Sequence, residues 1–175
     1  IVLLPLLAAA AVGFVPGSQR RGIRGITLGA SGLSLLCALI AFCSFEVGSS
    51  DLQFETKWIW VEDLRLYFHL AADGINIGII LMGAIVAFAA ACCADDITHR
   101  VKEFHILLNL MIGGILGTFA SMDLFFFYFF HELALVPTFI MIGVWGRGAN
   151  RNYATYKITL YLSLGALLAL IGLIG

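Results

Sequence analysis

One apolar stretch, Leu124–Trp145, is long enough to cross a bilayer as a helix, since about 20 apolar residues suffice. It carries a carboxylic acid, Glu132, which at 1.5 Å of rise per residue would lie only about 4 Å from the middle of the span. A carboxylate at that depth is costly unless it is protonated, paired or hydrated, so such a residue usually marks an ion path. Pro137 follows, and it removes a backbone hydrogen bond and crowds the carbonyl of Leu133. The stretch predicts a membrane helix with a proton site beside a loosened turn.

The composition of the chain is that of a membrane protein. Of its 175 residues 61% are hydrophobic and only 12% are charged, with a mean hydropathy of +1.01. A soluble domain averages about 25% charged residues. The net charge of -1 says nothing about nucleic-acid or acidic partners, but the basic residues are scattered rather than patched, and we expect no nucleic-acid partner. The four cysteines lack a C-x-x-C spacing, so we expect small buried side chains with no metal or disulfide role: Cys37, Cys43, Cys92 and Cys93.

Six hydrophobic spans predict an all-α fold, a polytopic transmembrane helix bundle. They cover approximately residues 1–16, 26–45, 74–94, 104–122, 124–145 and 154–175. Asp73 and Asp123 are well placed as helix N-caps, and the very short link before the fifth span makes the fourth and fifth helices antiparallel neighbours. No stretch shows the alternation of a β-strand. The chain begins with Ile1 and stops inside an apolar run at Gly175, so we expect it to be part of a longer polypeptide.

The charges of the links predict the orientation. The links 17–25, 95–103 and 146–157 carry the basic residues Arg20, Arg21, Arg24, Arg100, Lys102, Arg147, Arg151 and Lys157. The opposite link, 46–73, is acidic and has only Lys57 and Arg65. The positive-inside rule therefore places the N-terminus outside. The aromatic residues of the outer link are expected to form an interfacial belt: Trp58, Trp60, Tyr67 and Phe68.

Glycines spaced four apart predict close packing of helices, with no further role. These are Gly74 and Gly78 in the third span, and Gly113 and Gly117 in the fourth, with Gly114 beside them. Two polar residues inside the fourth span, Asn109 and Thr118, are each expected to make one interhelical hydrogen bond rather than to line a path.

Several motifs follow one another in an order that is specific to one family. The fifth span has an Asp123-Leu-Phe start, a Phe-rich run, Glu132-Leu-Ala-Leu-Val-Pro137 and a Trp-Gly end. Three further stretches are His69-Leu-Ala-Ala-Asp-Gly, Phe104-His105 with its following glycines, and Ala154-Thr-Tyr-Lys157. Together they resemble the chain M (subunit 4) family of respiratory complex I, the proton-translocating NADH:quinone oxidoreductase. Residues 1–57 match that family only as apolar helices.

The resemblance implies a membrane-arm subunit that translocates protons, coupled to electron transfer from NADH to quinone in other subunits. It implies a larger antiporter-like protein of about fourteen helices with inverted repeats. Residues 1–103 would then be the N-terminal helices 1–3 with the long outer link 46–73, and residues 104–175 the truncated start of the first proton-translocating repeat. The implied partners are other membrane-arm subunits and the lipid bilayer. FMN, Fe–S clusters and quinone are expected in partner subunits, with no cofactor and no metal in this chain.

The same resemblance assigns the site. Glu132 would be the proton-relay carboxylate, paired in the family with a lysine on the seventh helix, and that helix lies beyond Gly175. Water would reach it near Pro137. Lys157 is either a snorkelling anchor or a relay residue near the membrane edge. His131, where the family more often has Trp or Phe, is either an additional titratable group or a hydrogen-bonded packing residue.

Two alternatives remain open from the sequence. One is the homologous subunit of a multisubunit cation/proton antiporter or a membrane-bound hydrogenase, although the Leu-Val-Pro and Trp-Gly pattern favours complex I. The other, of a different class, is a membrane scaffold in which Glu132 is structural. A bacterial inner membrane is favoured for the protein, with mitochondrial and plastid membranes left open.

Overall fold

The computed structural model describes residues 1–46, 51–61, 66–146, 148 and 150–174. This part of the chain forms six helices, a two-stranded hairpin and a short 3-10 turn at Ala94–Asp96. The helices are α1 Leu3–Phe14, α2 Arg20–Cys43, α3 Asn76–Cys93, α4 Val101–Ala120, α5 Leu124–Trp145 and α6 Arg151–Ile174. The strands are β1 Gln53–Val61 and β2 Leu66–Ala72. The predicted helix bundle is confirmed.

Five of these helices are long and apolar enough to cross a membrane, which makes the protein an integral membrane protein. The exception is α1, whose 12 residues are about 18 Å long at 1.5 Å of rise per residue. Helix α5 begins and ends at the predicted residues, whereas α2, α4 and α6 each begin several residues earlier than predicted. The reason is that charged residues at a membrane surface, such as Arg20 and Arg151, continue a helix beyond its apolar span.

Helix α4 is the centre of the bundle. Half of its apolar window, 50%, is buried, and it packs mainly against α1 and α5. Its side chains Leu108, Ile112 and Leu116 are buried in the main core cluster. Helix α6 is at the periphery, with only 6% of its window buried. The predicted domain boundary at residue 103 falls inside α4, and the division into two domains stays a prediction.

Both predicted aspartate caps are present. The Oδ1 atom of Asp123 accepts hydrogen bonds from the backbone N–H groups of Phe125 and Phe126, at 2.9 and 3.3 Å. The Oδ1 atom of Asp73 accepts from the N–H groups of Ile75 and Asn76, at 2.8 and 2.7 Å. Helices α4 and α5 are neighbours, as the short link between them requires.

The glycine prediction is correct for α4 and wrong for α3. A Cβ atom added to Gly114 would lie 2.6 Å from the backbone nitrogen of Ala134 on α5. One added to Gly117 would collide with the ring of Phe130, and one added to Gly113 would collide with Leu6 of α1. In contrast, Cβ atoms added to Gly78 of α3, or to Gly74 in the turn before α3, meet nothing within 4 Å, because these positions face away from the other described helices.

The outer link contains a hairpin that the sequence did not predict. Strands β1 and β2 pair antiparallel, with Trp58 opposite Phe68 and Thr56 opposite Leu70. Shifts of register near residues 53–56 and 59–61 break the two-residue alternation, which explains why the pattern is not visible in the sequence. The Phe68 ring packs edge-on against Phe126 at the start of α5, with 5.1 Å between ring centroids. The expected interfacial aromatics Trp58 and Trp60 are exposed.

The structure confirms which links share an end of the bundle. Arg24 donates to the carbonyl of Ile97 at 3.2 Å, and Lys102 donates to the carbonyl of Gly13 at 2.7 Å. The indole of Trp145, at the end of α5, donates to the carbonyl of His99 at 2.8 Å. The three basic links therefore gather at one end and the hairpin lies at the other. Of the charges counted in the sequence, Arg147, Arg65, Glu62 and Asp63 lie outside the described residues.

The cysteines differ from expectation. All four are free, but only Cys37 is partly buried, and Cys43, Cys92 and Cys93 are exposed. They lie on sides of α2 and α3 that no other described helix covers. The prediction of buried cysteines is therefore wrong for these three positions within this chain.

Candidate functional site

Glu132 lies in the first half of α5, one turn after Tyr128 on the same side of the helix. Tyr128 and Glu132 line the same cavity, with the phenol next to the carboxylate. The spacing of four residues in the sequence could have identified Tyr128 as a neighbour of the acid, but the sequence reading did not single it out.

A cavity of about 550 Å³, half open to the surface of the described bundle, adjoins Glu132. Its wall comes from α5 and from Leu170 of α6, and the α5 residues are Asp123, Leu124, Phe125, Tyr128, Phe129 and Glu132. Apart from the two carboxylates and the phenol, the wall is apolar. Asp123 caps the helix at the hairpin end of the bundle, so the cavity runs from that end inward to Glu132. At 1.5 Å per residue the two acids are about 14 Å apart along the helix axis.

Glu132 has no basic partner within the described part of the chain, where the ion pairs join Arg24 to Asp95, His69 to Glu55 and Arg100 to Glu103. Its side chain is only partly buried. An acid at this depth of a membrane helix, beside a cavity and a phenol, is of the kind that marks ion and proton paths.

Pro137 is buried inside α5, and the helix continues through it. The hydroxyl of Thr138 donates to the carbonyl of Ala134 at 2.8 Å. Pro137 does not line the cavity beside Glu132. The cavity extends from Glu132 toward Asp123, whereas Pro137 follows Glu132 in the opposite direction along the helix. The structure therefore does not bring Pro137 and the cavity together, and water entry near Pro137 stays a prediction.

Lys157 is exposed on α6 and far from Glu132. Its Nζ atom lies 5.7 Å from the centroid of the Tyr153 ring. Thr155 of α6 lies beside Gly143 of α5. Since the two helices are antiparallel, Lys157 lies near the level of residue 141, about 14 Å from Glu132 along the axis. Its position at the basic end is compatible with either an anchor or a relay residue.

His131 stacks on Tyr128, with 6.3 Å between ring centroids and 25° between the ring planes. Its Nδ1 atom is buried without a hydrogen-bond partner among the residues that the structure describes. The predicted packing role is visible in the stacking, but the predicted hydrogen bond is not visible at Nδ1. Its alternative role as a titratable group stays a prediction.

The structure also shows what the polar residues of α4 do. The amide of Asn109 donates to the hydroxyl of Thr27 on α2 at 2.8 Å, which is the expected interhelical bond. Thr118 instead donates to the carbonyl of Gly114 in its own helix at 2.9 Å, so the expectation for Thr118 is wrong. In a helix, a threonine hydroxyl can donate its hydrogen bond to the backbone carbonyl one turn earlier, so it needs no partner on another helix.

Comparisons with known proteins agree with this architecture. A family model described as NADH:quinone oxidoreductase/Mrp antiporter, TM, matches residues 121–175. NAD(P)H-quinone oxidoreductase chain 4 from the chloroplast of Angiopteris evecta is 34% identical over 173 residues, which is 98% of this chain and 35% of that protein. Chain 4 from Gloeobacter violaceus is 33% identical over 172 residues, 98% of this chain and 32% of that protein.

A solved structure shows the same fold. A chain of respiratory complex I from Thermus thermophilus with bound NADH matches with a TM-score of 0.75 and 27% sequence identity. The match covers 95% of this chain and 32% of that chain. The chain thus spans about one third of the length of the relatives that it matches.

The fold and the site together define a polytopic membrane protein with a carboxylic acid inside its fifth helix. The relatives are more specific. Over 98% of its length the chain is similar to NAD(P)H-quinone oxidoreductase chain 4 proteins, and it spans about a third of such a protein.

Proposed function

We propose that this chain is part of a membrane-arm subunit of a proton-translocating NAD(P)H:quinone oxidoreductase, and that Glu132 is its proton-relay carboxylate. The observation that carries the assignment of Glu132 is the cavity that runs along α5 from Asp123 to the acid. It offers room for water between the hairpin end of the bundle and a carboxyl group inside the membrane. Tyr128, whose hydroxyl can both donate and accept, stands beside that carboxyl group.

The proposal extends to the partners. The relatives are chain 4 proteins of an oxidoreductase, and the similar solved structure is a chain of respiratory complex I. We therefore assign the other membrane-arm subunits and the bilayer as partners, and we place FMN, Fe–S clusters and quinone in partner subunits rather than in this chain. Helix α6, which is little covered in this chain, provides surface for further helices.

The proposal also includes an orientation. The end of the bundle that gathers the basic links faces the inside, so the N-terminus and the hairpin lie outside. On that orientation the cavity connects Glu132 with the outer side. We favour a bacterial inner membrane. The plastid relative from Angiopteris evecta makes a plastid membrane the main alternative.

The decisive experiment replaces Glu132 with Gln in the full-length protein and measures proton pumping in membrane vesicles. Glutamine keeps the size and a polar amide but cannot exchange a proton. We expect loss of pumping and of coupled quinone reduction, with the complex still assembled. The matched control is Glu103→Gln, the same change at a surface acid that pairs with Arg100 at the basic end, and it should leave pumping unchanged.

Retained pumping in an assembled Glu132→Gln complex would make the acid structural, as the scaffold alternative requires. The family model covers Mrp antiporters as well, so co-purification decides between the remaining classes. Recovery of the tagged full-length protein together with flavin and Fe–S subunits supports the oxidoreductase. Its recovery without them would support a cation/proton antiporter.

A further inference from the structure

A second polar cluster is buried between α2 and α4, away from Glu132. Thr27 and Asn109 are each 0% exposed and His105 is 1% exposed. The Asn109 amide nitrogen donates to the Thr27 hydroxyl and to the carbonyl of His105, both at 2.8 Å. The three residues therefore form one connected group inside the bundle.

The cluster has more hydrogen-bonding atoms than partners. Both ring nitrogens of His105 and the Oδ1 atom of Asn109 are buried without a hydrogen-bond partner among the described residues. An imidazole always carries at least one N–H donor, so His105 cannot be satisfied by apolar neighbours. Leaving such a group unpaired is costly, and buried polar groups without a protein partner are normally bonded to ordered water. The unpaired atoms therefore indicate internal water beside His105 and Asn109.

The basic end of the bundle is the nearest source of that water. His105 lies one turn after Val101, the first residue of α4. Among the described residues, the charged groups near its imidazole are Arg24 from α2 and Asp95 from the 3-10 turn, which form an ion pair at 3.4 Å. Asp95 is exposed at that end. The other neighbouring helices contribute apolar groups, with Val12 of α1 packed near Val101 and Trp145 of α5 packed against Phe104.

The cluster is distinct from the Glu132 site. Gly114 of α4 lies against Phe130 and Ala134 of α5, which places Glu132 near the level of Gly114. His105 precedes Gly114 by nine residues, so it lies about 14 Å closer to the basic end along the helix axis.

We propose that His105, Asn109 and Thr27 form an internal water site that opens to the Arg24–Asp95 end of the bundle, and that His105 exchanges a proton with this water. His105 is then a second protonatable group of the chain. The site goes beyond the proposed role of Glu132 and does not depend on it.

The test measures exchange of the imidazole C2 hydrogen for deuterium, residue by residue, by mass spectrometry on the assembled complex with the full-length chain in D2O. This exchange passes through the protonated imidazole, so its rate follows titration by solvent. His99, which is exposed at the same end of the bundle, is the reference. We expect His105 to exchange within about tenfold of His99, with a sigmoidal dependence on pH, because a hydrated group needs little opening to meet solvent.

If His105 exchanges more than about tenfold slower than His99, or if its exchange rate shows no sigmoidal dependence on pH, His105 is a packing residue without water beside it and the proposal is overturned. The measurement uses the unaltered protein, so no folding defect can obscure it. A second measurement uses Asn109→Leu, a side chain of similar size that cannot bind water. Exchange at His105 should slow at least severalfold while His99 is unchanged, and an unchanged rate at His105 in the assembled variant would contradict the site. Neither exchange measurement depends on proton pumping. A negative result for the His105 water site therefore says nothing about the proposed role of Glu132.

Discussion

Two carboxylates of one helix, Asp123 and Glu132, show how surroundings determine what an acid does. The Asp123 carboxylate accepts from two backbone N–H groups at the start of α5, where the positive end of the helix dipole also favours a negative charge. Glu132 has no such donors from the backbone, because the N–H groups around it are used within the helix. It faces a cavity and a phenol instead. The first acid is therefore a helix cap, whereas the proton-relay role of the second stays a proposal for the Glu132→Gln test.

At the residue scale, Asp123→Ala should destabilise the full-length protein by about 1 kcal/mol, since it removes an N-cap. The measurement is the free energy of unfolding in mixed micelles, from titration with a denaturing detergent. Asp123→Asn keeps the accepting oxygen and should lose much less. Equal losses in the two variants would show that charge rather than capping is what Asp123 contributes.

At the scale of elements, the contact between α4 and α5 depends on Gly114. The backbones approach so closely there that the space for a Cβ atom is taken by the nitrogen of Ala134 and the carbonyl oxygen of Phe130. Backbone atoms cannot rotate away as a side chain can. The same contact holds α5 in place against the central helix, and with it the side of α5 that carries Glu132.

Gly114→Ala should therefore push the two helices apart, at a cost of about 1–3 kcal/mol in the free energy of unfolding. The matched control is Gly29→Ala in α2, where an added Cβ meets nothing within 4 Å. That change should be neutral or slightly stabilising, because alanine favours a helix more than glycine does. The same unfolding titration compares the two, and a Gly114→Ala variant as stable as Gly29→Ala would contradict the close approach.

At the scale of the whole molecule, the bundle has two chemically different ends. Hydrogen bonds from Arg24, Lys102 and Trp145 tie the three basic links together at one end. At the other end the hairpin packs on the start of α5, and the backbone N–H of Met122 donates to the carbonyl of His69 at 2.9 Å. Under the positive-inside rule, the basic end of the bundle faces the inner side of the membrane and the hairpin end faces the outer side.

Labelling can check that orientation. In a full-length background with the native cysteines of this chain replaced by Ala, Lys57→Cys places a thiol on the hairpin and Thr98→Cys places one in a basic link. Both positions are exposed. A membrane-impermeant maleimide added outside should label Lys57→Cys in intact cells, and Thr98→Cys only after permeabilisation. The reverse pattern would invert the proposed orientation and direct the cavity beside Glu132 to the inside.

Local features of the sequence were sufficient to predict the helices, their caps and the position of Glu132. Apolar runs of bilayer length determine the helices, because a backbone in lipid must satisfy its own hydrogen bonds. The caps at Asp73 and Asp123 and the intramembrane position of Glu132 follow from spacing along one helix. The resemblance to the chain M family followed from motifs of fixed order around Glu132 and Pro137.

Other features depend on which surfaces meet, and sequence spacing does not contain that information. Glycines four apart occur in the third and the fourth predicted spans, yet only Gly113 and Gly117 of α4 face other helices in this chain. The hairpin forms through pairing between strands with shifted register and through docking on Phe126. Most of all, the buried group of Thr27, His105 and Asn109 joins residues 82 positions apart along the chain. Only the folded bundle brings these side chains together, because contact between helices is decided by packing in three dimensions.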